Sequence, residues 1–137
     1  MEAKLKHLEM IQGIINRMAS NSFLLKGWSL TLVAALGALS AEKTNPLFIG
    51  VAAVPCIVFW GLDGYFLHQE RLYRRHYDEV RVKKPEDIDF SMRPSQEVIK
   101  REESWFGVCW SHTLRAFHGA VLVSILLIVL VFFCIGR

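Results

Sequence analysis

Residues Ala116–Gly136, AFHGAVLVSILLIVLVFFCIG, run for 21 positions without a charged side chain, and a bilayer core takes about 17–25 apolar residues per helix. Two more uncharged stretches precede it: Gly27–Ala41, GWSLTLVAALGALSA, and Pro46–Leu62, PLFIGVAAVPCIVFWGL. Three such segments in a chain of 137 residues predict an all-α integral membrane protein, with no room for a catalytic domain of ordinary size.

The positive charges are placed unevenly around these spans. Lys4, Lys6, Arg17 and Lys26 precede the first, and ten Lys and Arg lie between the second and third, leaving only Lys43 and Arg137 for the opposite side. Orientation follows Lys and Arg in short loops. The N-terminus and the middle segment are therefore expected in the cytoplasm, with the 42–46 turn and the C-terminus outside. Trp28, Trp60, Trp105 and Trp110 fall at the same ends of the spans, as interfacial tryptophans should. The stretch ahead of the first span is too long and too polar for a cleavable signal peptide. Cys56, Cys109 and Cys134 are too few and too scattered for a disulfide framework.

Each span is expected to continue into a cytoplasmic helix. Over residues 1–26 there is no proline, and Leu8, Ile11, Ile15 and Met18 recur at alternating steps of three and four, the spacing of a packed seam. That seam is a candidate for oligomerisation; the alternative is an amphipathic helix lying flat on the inner leaflet. After span 47–64, residues 65–82 read as an amphipathic extension and the proline-bearing 83–94 as a loop. Ser95 then N-caps a helix over 95–115, with Glu97 in its first turn, that runs into span 116–136. Extensions of about 20 residues each would project roughly 30 Å, and their matched lengths imply one bundle.

Inside the membrane, the span over 27–41 is rich in Ala, Gly, Ser and Thr, which let helix backbones approach closely, whereas the span over 116–136 is bulky and suited to lipid. Several subunits joined through the first span would give a homo-oligomer; the alternative is one three-helix hairpin. If a pore exists, the Ser29, Val33, Gly37 face or the adjacent Thr31, Ala35 face would line it. Lys26 and Asp63, bordering the first and second spans, would stand at its inner mouth. Antiparallel neighbours bring these two to the same level, so a structural ion pair is the leading expectation. An exposed interfacial carboxylate and a cation-attracting ring are the alternatives.

Nothing in the sequence carries the spacing of a hydrolase, metalloprotease or nucleotide-binding motif, so no enzyme, cofactor or metal is expected. The Cys109-x-x-His112 pair is too small a ligand set, with His118, His68 and His76 scattered around it. A lipid-acting centre of Asp63, His68 and Glu70 lacks catalytic spacing. The run RLYRRHYDEVRVKK reads first as a solvated helix face that also enforces orientation; anionic headgroups are an alternative partner, while its interruption by Asp78 and Glu79 argues against nucleic acid.

At His7–Trp28, HLEMIQGIINRMASNSFLLKGW, and at Gly61–Arg81, GLDGYFLHQERLYRRHYDEVR, the chain resembles a family of small, uncharacterised bacterial inner-membrane proteins with three transmembrane helices. The resemblance implies a bacterial cytoplasmic membrane and transfers no site residues. The function expected from architecture is an ion-conducting or membrane-depolarising homo-oligomer, by analogy an effector of a defence or toxin module. The alternative is a non-conducting anchor or adaptor holding a soluble cytoplasmic partner.

Overall fold

A computed structural model describes residues 1–43, 45 and 47–135. Among these the secondary structure is entirely helical: α1 (Glu2–Lys43), α2 (Leu47–Val51), α3 (Ala53–Val82), a 3-10 turn at Pro85–Asp87, α4 (Gln96–Arg101), α5 (Trp105–Cys109) and α6 (His112–Ile135). Three helices are long and apolar enough to cross a membrane: Glu2–Glu42, Leu47–Val82 and His112–Cys134. Thr44, Pro46, Gly136 and Arg137, on which part of the expected external turn and the end of the third span fall, lie outside the described residues.

With no proline to interrupt its ladder, α1 runs unbroken for 42 residues, about 63 Å at 1.5 Å per residue. It lies antiparallel to α3. At one end Lys4 Nζ donates to the carbonyls of Arg81 (2.8 Å) and Lys83 (2.6 Å), a cation satisfying acceptors at the C-terminus of α3. At the other, a β-carbon on Gly37 would stand 3.5 Å from Ile49 Cδ1. Ser40 Oγ donates to Asn45 O, and Asn45 Oδ1 accepts from Leu47 N, which fastens the connection to α2.

Within Leu47–Val82 the helix is interrupted at Ala52, between α2 and α3. Pro55 has no N–H for the Val51 carbonyl and its ring crowds that oxygen, so the chain tightens at Ala52, whose N–H bonds Ile49 O at 3.1 Å, before α3 begins.

Two cores result. In the apolar half, Ile49, Ala52 and Cys56 close against Val121 and Ile125 of α6, with Val33, Leu36 and Phe117 around them. The opposite face of α6 is open, with Val123, Leu126, Leu127, Val131 and Phe133 each more than half exposed; only this face suits lipid, and the other packs. In the polar half, Leu8, Ile11 and Ile15 are buried against Val80 and Ile88, with Tyr73, Tyr77 and Met92 alongside. The seam therefore has its partner within the same chain. Within the chain, α3 and the following loop fill that face, and Met18 at its end is half-buried. The helix packs on α3 and does not stand alone as a flat amphipathic element would.

The helix expected over 95–115 is corrected. Ser95 does cap a helix, accepting from Val98 N at 3.2 Å, with Glu97 in the first turn. That helix ends after six residues. Glu102 turns to an extended backbone (ψ 147°) and pairs with Arg75, while Glu103 pairs with Arg71 at 3.1 Å. Ser104 then caps α5 anew, accepting from Gly107 N at 3.3 Å. The segment follows α3 as two short helices held by ion pairs, so a third extension matched in length to the others does not form.

Candidate functional site: a buried carboxylate among three helices

Asp63 lies on α3 among otherwise apolar residues and is wholly inaccessible to water. A lone charge at such a position is costly; the cost falls when partners and hydrogen bonds surround it. The partners come from two other helices. Ser22 and Lys26, four apart on one face of α1, both reach it: Ser22 Oγ donates to Oδ1, and Lys26 Nζ stands 2.6 Å from Oδ2. Lys26 Nζ also donates to Ser22 Oγ at 2.9 Å. From the first turns of α6, His118 places Nε2 2.9 Å from Oδ2. A carboxylate only accepts, so the bonded imidazole nitrogen carries the hydrogen. His118 is fully buried and its Nδ1 has no partner.

A shell of indoles closes the group. Trp60 stacks on His118 with ring centroids 5.7 Å apart and an 11° interplanar angle, and meets Trp110 edge to face at 5.6 Å. Trp60 Nε1 donates to Cys109 O (2.8 Å) and Trp105 Nε1 to Gly61 O (3.1 Å). This clamps α5 onto α3, and the missing side chains of Gly61 and Gly64 make room for it. A β-carbon on Gly64 would collide with Cys109 Sγ, and one on Gly61 would lie 3.6 Å from the Trp105 ring.

The ion pair between Lys26 and Asp63 is thus formed, and Asp63 is not an exposed interfacial carboxylate. His118 is the member that sequence reasoning missed; its only signal was an imidazole two residues into an otherwise uncharged run. Of the proposed pore face, Ser29 is buried at 1% exposure, Val33 packs against the apolar core and Gly37 faces Ile49. That face packs within the chain. The adjacent face is open: Thr31, Ala34, Ala35 and Ala38 are exposed, and Trp28, Thr31, Leu32, Ala35 and Phe59 line a shallow apolar groove.

Elsewhere, charges are largely paired. In the basic run, Arg71, Arg74, Arg75, Arg81 and Lys83 each meet a carboxylate: Glu103, Glu70, Glu102, Asp78 and Glu79 respectively. Glu70 meets Arg74 at 2.8 Å. Among the described residues, no three His, Cys, Asp or Glu converge as metal ligands. Comparison of the chain with protein-family models, with curated proteins and with solved structures finds no match in any of the three.

Proposed function

We propose that several copies of this chain assemble in a bacterial inner membrane and open an ion-conducting or membrane-depolarising path, as an effector of a defence or toxin module would. The observation that carries this proposal is Asp63: an ionisable side chain enclosed among three candidate membrane helices is a costly feature, and such residues ordinarily mark ion or proton pathways. In the closed state Lys26 neutralises it; in the conducting state it would attract cations at the inner mouth. The uneven Lys and Arg distribution supports a cytoplasmic N-terminus and polar half, with the C-terminus outside. Subunit contact is assigned to the open Thr31, Ala34, Ala35, Ala38 face, whose small side chains suit close helix approach in lipid. The test joins native mass in nanodiscs with ion flux from liposomes. A discrete oligomer of four or more subunits with flux altered by Asp63→Asn supports the pathway. A monomer or dimer, or silence to every ion tried, overturns it.

A non-conducting anchor that holds a soluble partner is the second reading. It is favoured by the packing of Ser29, Val33 and Gly37 inside one subunit, which leaves no lumen within the chain. Such an anchor would co-purify with a cytoplasmic protein and lose it on charge reversal at Arg74, whose guanidinium is more than half exposed, while Ala34→Leu would leave the complex intact.

A further inference from the structure

At the far end of the α1–α3 pair from Asp63 another imidazole is buried, and this one has no hydrogen-bond partner. His7 of α1 is 1% exposed, and neither of its ring nitrogens has a hydrogen bond. It is wedged between two aromatic rings, Phe90 edge-on at 5.5 Å and His76 of α3 edge-on at 6.3 Å. His76 is itself 4% exposed and bonds the loop through Nε2, 3.0 Å from Ser91 O. Two neighbouring histidines thus hold the loop that follows α3, one by its ring face and one by a hydrogen bond. Phe90, 46% exposed, adopts a left-handed backbone with φ of 54°, a conformation that is costly for a bulky residue.

We propose that His7 is the proton-sensing element of a latch, and that acid releases the Phe90-bearing loop, residues 83–94, from the tip of the α1–α3 pair.

A charged His7 ring would carry two N–H donors into a site that offers neither an acceptor. Of the charged groups near it, Asp89 favours the protonated ring and His76 disfavours it. From α3 come His76, a second potential cation, with Tyr73 beside it; farther along α3, Glu79 is already engaged by Lys83 and Ser95. From the loop comes Asp89, which accepts from Ser91 N at 3.0 Å. On α1 itself, Lys4 is bound to the Arg81 and Lys83 carbonyls. Burial is the main influence holding His7 below its usual range, His76 adds to it, and Asp89 opposes both.

When the loop lifts, the ring meets water and regains an ordinary histidine value of about 6.5. Between that value and the lowered one, the open form binds more protons than the closed form. The latch is therefore closed at neutral pH, loses ground as pH falls through the ordinary value, and stops losing it below the lowered one. Opening withdraws Ile88 from the cluster that it completes with Leu8, Ile11, Ile15 and Val80.

The test is amide hydrogen exchange of the full chain in nanodiscs, corrected for intrinsic rates, at about pH 7.5 and about pH 5.5, either side of the ordinary histidine value. Exchange in 83–94 should rise several-fold at the lower pH. His7→Gln and His7→Leu should flatten that response, and His112→Gln, at an exposed position on α6, should preserve it. Equal protection at both pH values overturns the latch. So does a response that survives in the His7 variants and vanishes only in His76→Gln. Should the His7 variants fail to fold, histidine-resolved NMR of the unaltered chain decides: His7 titrating at the ordinary histidine value of about 6.5 sinks the proposal, and His7 titrating below it supports it.

Discussion

His118 Nε2 and Asp63 Oδ2 stand 2.9 Å apart with both side chains fully enclosed. The histidine brings α6 to a carboxylate that α1 already holds, so one oxygen ties the third helix to the other two. Asp63→Ala leaves Lys26 and His118 without their acceptor and is expected to cost about 3–5 kcal/mol, the usual range for breaking a buried pair. The paired replacement of Asp63 by Leu and Lys26 by Met should recover much of that loss. Thermal unfolding in detergent measures both; a single variant as stable as the parent would show that the group is not a structural tie.

Ile15→Ala separates the two roles that the α1 seam could have had. Ile15 is 2% exposed inside one chain, so the variant should lose about 2–5 kcal/mol by the usual cost of such truncations, while native mass stays the same. A drop in mass with little loss of stability would return the seam to an interface between subunits.

Gly64→Ala should lower the unfolding temperature and raise the reactivity of the Cys109 thiol, because the added methyl displaces α5 from α3. Gly13→Ala makes the opposite prediction. Its β-carbon would meet nothing within 4 Å, and alanine in a helix interior is favoured over glycine by about 0.8–1 kcal/mol.

Ser95→Ala removes a helix cap and the hydrogen bond that Ser95 Oγ donates to Glu79 Oε2; a loss of about 0.5–2 kcal/mol is expected from the cap. The same contact has a pH signature. Lys83, and after it Ser95, hold the Glu79 carboxyl below the usual carboxylate range. Its contribution is complete above that usual range and disappears as pH falls through the lowered value. Glu79→Gln should flatten this part of the acid limb in a stability-versus-pH curve.

The three spans were legible because a run of uncharged residues long enough to cross lipid is a one-dimensional property. The meeting of Lys26 with Asp63 was legible as well, since antiparallel neighbours put the two span borders at one level. His118 was not: its partner is 55 positions away, and one imidazole in an apolar run resembles any core histidine. The break after Arg101 was equally hidden. Glu102 and Glu103 suit a helix interior locally, and what bends the chain there is the pull of Arg75 and Arg71 on another helix. For the seam, periodicity showed that Leu8, Ile11 and Ile15 need a partner, but a spacing of three and four is the same whether that partner lies in another chain or in α3.

Because α1 is a single helix from Glu2 to Lys43, its polar tip and its apolar half share one backbone ladder with no joint between them. Ser22 and Lys26 are therefore held in fixed angular register with Leu8, Ile11 and Ile15, so the packing of the polar half sets the azimuth at which the partners of Asp63 face α3.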